Sequence, residues 1–285
     1  MKGILLAMHG GVSADGAVQV ASLLAARVHV ALMPLVVFAP IPILDYGFGA
    51  TYVPTPEDEA AVRAALMTSA REQFRRCGVT DAIPELRTGV VSSEIAATAR
   101  AHGAGLIVTG LGAHGILDRT LGGETALHLA QDASTPVLAV PASVTAIPRR
   151  VIAAIDFSPT SVRAAHTAAG WLRDGDELHI VSVVPKRSQT ARATSTIDRS
   201  VGDRLTQVGR ELGVAAGVRV DVTERAGDAA RTLLDHARQI DADLITLGSH
   251  GYGAVKRLVL GSVASKIIRV ATCAILVAPI GCLDG

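Results

Sequence analysis

Aromatic residues and an excess of charge of one sign are both scarce in this chain of 285 residues. Phe, Trp and Tyr make up only 3% of it, which excludes an aromatic stacking surface for single-stranded nucleic acid. Lys and Arg total 27 against 26 Asp and Glu, so the net charge of +1 leaves no broad positive footprint for nucleic acid or an anionic membrane. We therefore expect neither as a partner.

Cysteine pairs and long apolar runs are missing as well. Cys77, Cys273 and Cys282 show no C-x-x-C spacing, which argues against a zinc knuckle or a disulfide scaffold and is typical of a reducing compartment. The apolar residues 4–8 are too few for a signal-peptide core, and prolines interrupt residues 30–44. The sequence therefore predicts a soluble, cytoplasmic protein.

The chain contains two related halves. An offset of 138 residues pairs Ala104–Ile107 with Ala242–Ile245, and the match continues without a gap to Pro141 and Pro279. Near the start the offset is 148, so the first half carries ten extra residues, around positions 39–56. A repeat of this length predicts two domains of the same fold.

The predicted domains span residues 1–146 and 149–285, with a short exposed connector at 144–150. Each half alternates apolar runs with helical patterns, which predicts an α/β fold: two similar, open parallel sheets of five strands, with helices on both faces, related by a pseudo-twofold axis. Ser158 is predicted to cap a helix that has Pro159 at its first position. The strands of the second half are predicted at residues 151–155, 178–184, 218–223, 244–247 and 274–278, and its helices at 159–172, 198–212, 227–239 and from 262 onward.

Polar residues and glycines follow the strand ends of the second half, where ligands bind in open α/β sheets. Asp156 follows the first strand, and its carboxylate can accept from an adenine amino group or a ribose hydroxyl. After the fourth strand comes Gly248–Gly251, and nine residues later Gly261-Ser262. Glycines let backbone amides approach phosphate oxygens, and Gly261-Ser262 lies where a helix begins, so the positive end of its dipole faces an anion.

In these residues the second half resembles a universal stress protein domain of the nucleotide-binding type. The resemblance is carried by Ile155–Ser158, by Gly248–Gly251 with nine residues to Gly261–Ala264, and by the closing Ala274–Pro279. It covers nearly all of the second half and, more loosely, the first.

The resemblance implies an ATP site in the second domain, with Mg²⁺ or Mn²⁺ held through the phosphates. It implies that Asp156 and Val183 contact adenine or ribose. The residues that it implies for the sugar and phosphate side are Leu247, Gly248, His250, Gly251, Gly261, Ser262 and Val263.

The first half departs from this pattern at three places. The positions of Asp156, Gly251 and Ser262 are taken by Met8, Ala113 and Glu124. A carboxylate at the position of Glu124 would repel a polyphosphate. We therefore expect a degenerate first domain and one ATP site per chain.

Three functions fit the sequence. The leading one is a cytoplasmic universal stress protein that acts as an ATP-dependent regulatory or binding module in the stress response, with no dedicated catalytic residues. The alternatives are a slow ATPase or nucleotide-transferring enzyme on the same scaffold, and an interaction protein that binds no nucleotide. The sequence has no P-loop, and its histidines lack zinc-site spacing. The candidates for a role in hydrolysis are His250, Lys256 and Arg257, and the two cations fit solvated loop charges equally well.

Each half closes with an apolar strand, Val137–Val140 in the first and Ala274–Val277 in the second. An exposed apolar edge strand is an aggregation liability unless it is covered. Family members that resemble one half pair their last strands to form dimers. We therefore expect these strands to pair antiparallel within the chain, which leaves other surfaces for a homodimer of chains.

Overall fold

The computed structural model describes residues 2–40, 44–45, 51–80, 82–112, 122–185, 195–213, 217–250 and 260–283. The first half has strands β1 Gly3–Met8, β2 Ala31–Phe38, β3 Leu44–Asp45, β4 Thr51–Tyr52, β5 Glu85–Thr88, β6 Leu106–Gly110 and β7 Val137–Val140, and helices α1 Asp15–Val28, α2 Pro56–Cys77, α3 Val91–Ala101 and α4 Gly122–Asp132. The second half has strands β8 Arg150–Ala154, β9 Glu177–Val184, β10 Arg219–Ala226, β11 Leu244–Gly248 and β12 Ala274–Ala278, and helices α5 Pro159–Ala169, α6 Ser195–Glu211, α7 Ala229–Gln239 and α8 Ser262–Val270.

Ten of the strands form one sheet, in the order β10-β9-β8-β11-β12-β7-β6-β1-β2-β5. Within each half the five strands are parallel, and β3 and β4 form a separate small hairpin. The predicted α/β fold, with two similar parallel sheets, is confirmed. Where the halves meet, β7 runs antiparallel to β12, and Leu138 lies opposite Leu276.

Helices cover both faces of the sheet, which explains why the central strands are almost wholly apolar. One face packs against α1, α2, α5 and α6, and its core runs from Leu24 in the first half to Leu172 in the second. On the other face, Ala126 and Ala130 of α4 share a core with Ile267 of α8. The two halves are therefore joined by shared hydrophobic packing as well as by backbone pairing.

Local sequence signals explain the helix starts. The Ser158 hydroxyl accepts the backbone N–H of Ser161 at 3.2 Å, so Ser158 caps α5 as predicted, and Pro159 is the first residue of the helix. Helix α2 begins with a capping box in which Thr55 and Asp58 bond each other's backbone N–H. None of the helices in the described ranges is long and apolar enough to cross a membrane.

Several predicted boundaries differ from the structure by one to three residues: α5 ends at Ala169 and not at 172, and α6 begins at Ser195 and not at 198. Two of the differences have a clear cause. Helix α7 begins at Ala229, because Asp228 rather than Gly227 caps it by accepting the Arg231 N–H at 2.9 Å. Strand β10 continues to Ala226, three residues past the predicted end at Thr223. It is the last strand of the sheet and is mostly exposed, so its length is set by pairing with β9 and not by apolar residues.

Candidate functional site

A cavity of about 220 Å³ lies at the carboxyl ends of β8, β9 and β11, where α7 and α8 begin. Residues that are far apart in the sequence meet on its wall. The sequence-predicted site residues that line it are Asp156, Val183, Leu247, Gly248, Gly261, Ser262 and Val263. The site therefore assembles from the ends of three neighbouring parallel strands and the first turn of α8.

The other two predicted site residues are placed differently. His250 is buried and does not line the cavity; its Nδ1 lies 2.9 Å from the Ser249 hydroxyl. Its backbone carbonyl accepts the Thr160 hydroxyl at 3.1 Å, and its Nε2 has no hydrogen-bond partner among the described residues. Gly251 lies outside the described residues, as do Lys256 and Arg257.

Asp156 has a local structural task besides its place in the cavity. Its Oδ1 accepts the Ser158 hydroxyl at 2.6 Å and the Ser158 backbone N–H at 3.0 Å. Because Ser158 in turn caps α5, Asp156 holds the turn between β8 and α5 in place. The side chain is nevertheless exposed, so a ligand in the cavity can reach its carboxylate.

The first turn of α8 provides the donors for an anion. The Gly261 N–H is already used, because it donates to the Ser249 carbonyl at 2.7 Å, and helical bonding begins with the Ser265 N–H on the Gly261 carbonyl. The backbone N–H groups of Ser262 and Val263 therefore lie in the first helical turn, where no earlier turn supplies an acceptor. Together with the exposed Ser262 hydroxyl, they form the positive end of the helix dipole.

A charged pair braces the two helices beside the cavity. Lys266 of α8 lies 3.3 Å from the carboxylate of Asp228, the cap of α7. The backbone N–H of Arg231, and then the Lys266 ammonium, lower the pKa of Asp228 below its usual range. The pair therefore links the start of α7 to the second turn of α8.

Several lining residues were not among the predicted ones. They are Ala154, Ile155, Ser161, Val181, Ala229, Leu233 and Ala264. The place of Val181 in the lining could have been predicted from the sequence, because it lies two residues before Val183 on the same face of β9. The place of Leu233 could not have been predicted, because only the packing of α7 over the sheet brings it to the site.

Gly248 is required by close packing and not only by access to a ligand. A Cβ at this position would lie 2.4 Å from the Thr160 hydroxyl and 2.8 Å from the Ser161 backbone nitrogen. Strand β11 and the start of α5 therefore approach so closely that only glycine fits at position 248.

We expect Gly248→Ala to destabilise the fold by about 1–3 kcal/mol, the usual cost of overpacking, measured by urea unfolding. Gly202→Ala is the matched control, because a Cβ at Gly202 in α6 meets nothing within 4 Å. That change should be neutral or stabilising, since Ala is the better helix former. Equal midpoints for Gly248→Ala and the unmodified protein would contradict the packing argument.

The first half has a corresponding cavity of about 380 Å³ at the carboxyl ends of β1, β2 and β6. The predicted match of Met8 with Asp156 is wrong, because β1 pairs with β6 one residue out of the predicted register: Ile4 lies opposite Leu106 as Val151 lies opposite Leu244. His9 therefore takes the place of Asp156, and its Nδ1 accepts the Gly11 N–H as the Asp156 carboxylate accepts the Ser158 N–H. Met8 also lines the cavity, at the position of the buried Ile155. Glu124 is exposed in the first turn of α4, and Ala113 lies outside the described residues. The two cavities thus have the same place in the fold but different chemistry.

Comparison with known proteins identifies the family. The sequence profile of the universal stress protein family matches residues 1–141 and again 148–279, so the chain belongs to this family as a tandem two-domain member. The universal stress protein YxiE of Bacillus subtilis is 25% identical over 143 residues, which are 45% of this chain and 97% of that protein. The crystal structure of a universal stress protein from Archaeoglobus fulgidus superposes with a TM-score of 0.65 at 21% identity, over 97% of this chain and 98% of that one.

Proposed function

We propose that the second domain, residues 149–285, binds ATP in the 220 Å³ cavity, and that the chain acts as a nucleotide-dependent regulatory or binding module. One observation carries the proposal: the Asp156 carboxylate and the first turn of α8 meet at the same cavity. A carboxylate that can accept from a nucleoside, and a helix start that favours an anion, are the two groups that a nucleotide needs.

Each part of ATP has a matching surface. Val183 supplies an apolar wall for adenine, Leu247 lies on the sugar side, and Asp156 accepts from the adenine amino group or from a ribose hydroxyl. A cavity of about 220 Å³ is smaller than usual for a whole ligand, so it holds the nucleoside, and the phosphates extend along the exposed Ser262. Mg²⁺ or Mn²⁺ is then held largely by the phosphates.

The first domain, residues 1–146, binds no ATP in this proposal. His9 puts an imidazole where the second domain has the Asp156 carboxylate, and its Nδ1 is already used by the Gly11 N–H. Glu124 puts a negative charge in the first turn of α4. Titration calorimetry should therefore give one ATP site per chain.

The rival function is an interaction protein without a nucleotide. It is favoured by the close packing of Gly248 on α5 and by the use of the Gly261 N–H within the protein. Native mass spectrometry before and after denaturation separates the two, because a co-purifying adenine nucleotide excludes the rival.

We expect Asp156→Ala to weaken ATP binding by about 1–3 kcal/mol, the cost of leaving a polar partner unmatched. Asp156→Asn removes the negative charge but keeps the turn, since the Asn amide oxygen can still accept from Ser158. Met8→Leu, a volume-conserving change in the other domain, should leave ATP affinity unchanged. Calorimetry that shows two equivalent sites per chain, or full affinity in Asp156→Ala, would contradict the proposed site.

We also propose that the pairing of β7 with β12 keeps the two domains together in solution, as an intramolecular pseudo-dimer. A homodimer of chains then uses other surfaces.

A cytoplasmic location completes the proposal, and the free thiols of Cys77 and Cys273 support it, because such a compartment keeps thiols reduced.

A further inference from the structure

We propose that the cavity of the first half is a ligand site in its own right, which takes a neutral, mainly apolar small molecule with an acceptor oxygen at one end. The cavity measures about 380 Å³, against about 220 Å³ in the second half. That volume lies in the range of small-molecule sites. The substitutions that remove the nucleotide features therefore leave a larger cavity and do not fill it.

Its walls are apolar. Met8, Leu35 and Ile95 are almost fully buried at the cavity, and Val37 and Leu66 add to its apolar lining. The described residues that line it include no Lys, Arg, Asp or Glu. Within this described part of the lining, a charged ligand would lose its hydration without gaining a counterion, which favours a neutral molecule.

Helix α2 forms one wall of the first cavity through Leu66. In the second half, the described lining of the cavity includes no residue of the corresponding helix α6. The fully buried Gln73 of α2 donates to the Gly11 carbonyl and to the Asp15 carboxylate, both at 3.0 Å, and accepts the Gly10 N–H at 3.1 Å. Gly10 has a φ of +82°, and a Cβ there would lie 2.4 Å from the Cβ of Ser69. Helix α2 is thus fixed against the loop after β1, and Leu66, about two turns before Gln73, lies on the cavity wall.

Among the described lining residues, the polar side chains are those of His9, Ser13, Thr109 and Thr125. His9 Nδ1 accepts the Gly11 N–H at 3.1 Å, so the neutral ring carries its proton on Nε2 and is a donor there. The hydroxyl-bearing Thr109, only 6% exposed, and Ser13 also line the cavity. An apolar ligand with a carbonyl or ether oxygen matches this combination. An anionic group would instead lie near Glu124, which precedes the lining residue Thr125 on α4.

The test uses Prodan, a neutral naphthalene that carries a carbonyl group and fluoresces at shorter wavelength in apolar surroundings. Titration of the full chain should show one saturable, blue-shifted site per chain that excess ATP does not displace. Leu66→Trp should lower the affinity at least tenfold by filling the cavity. Val62→Trp is the matched control, because Val62 lies one turn earlier on α2 and is 38% exposed; it should bind like the unmodified protein.

Three results would overturn the proposal: no saturable blue shift, equal affinities in Leu66→Trp and Val62→Trp, or one-to-one displacement by ATP, which would place Prodan in the second cavity. Val91→Trp, at the first residue of α3, fills the same cavity from the side opposite α2 and decides the question if Leu66→Trp does not fold by circular dichroism. Unchanged Prodan binding in a folded Val91→Trp variant would equally refute it.

Discussion

Replacing Ser262 with Glu is expected to abolish ATP binding and to leave the fold intact. The side chain is exposed in the first turn of α8, so a longer residue fits without displacing the core. A carboxylate there faces the polyphosphate and repels it. It also interacts favourably with the helix dipole, by about 0.3–1 kcal/mol, so the ligand-free protein should be at least as stable as before. Titration calorimetry and thermal unfolding without nucleotide measure the two effects separately.

Ser262→Gln is the control for this experiment, because it has the size of Glu without the charge. It should retain most of the affinity for ATP. Undiminished binding in Ser262→Glu, together with an unchanged circular dichroism spectrum, would remove Ser262 from the site.

The second large effect is expected at the junction of the two halves. Leu276 of β12 lies between Leu138 of β7 and Thr246 of β11 in the sheet. Proline at this position removes a backbone donor and collides with its surroundings, so Leu276→Pro should cost at least about 3 kcal/mol. Hydrogen exchange should show the loss of protection spreading from β12 to β7 in the other half, since both use the same hydrogen bonds.

Leu276→Ala is the control that distinguishes the loss of side-chain packing from the loss of backbone pairing between β12 and β7. It removes a buried side chain, at a cost of about 2–5 kcal/mol, but keeps the backbone N–H. Under conditions where it remains folded, residues 137–140 should stay protected from exchange. If Leu276→Pro also leaves them protected while β12 loses its own protection, the two domains are not held together by this pairing.

The parts of the fold that were predictable are those with strong local signals. The bounds of β12 agree with the prediction because its residues are a buried apolar run that ends at a proline. The start of α5 was readable because Ser158 and Pro159 act within one helical turn. The meeting of Asp156 with Ser262 also followed from the sequence, since the carboxyl ends of parallel strands share one edge of a sheet.

The rest depends on contacts between distant residues. Nothing around Gly248 shows that Thr160 will lie 2.4 Å from where its Cβ would be. Gln73 is a polar residue within a polar helix, and only the folded chain brings it to Gly10 and Asp15. The position of His250 is a similar case, because its burial depends on how β11 ends against α5.

The antiparallel meeting of β7 and β12 has a consequence for how this chain can diverge. In a dimer of identical chains, every substitution occurs on both sides of the symmetry axis, so an impaired site would appear twice. Here both halves lie in one polypeptide, joined at residues 144–150, and His9 can stand in one half where Asp156 stands in the other. Carrying both halves in one chain thus frees each half from the selection acting on its twin, and it fixes the ratio of the two cavities at one to one in every molecule that is synthesised.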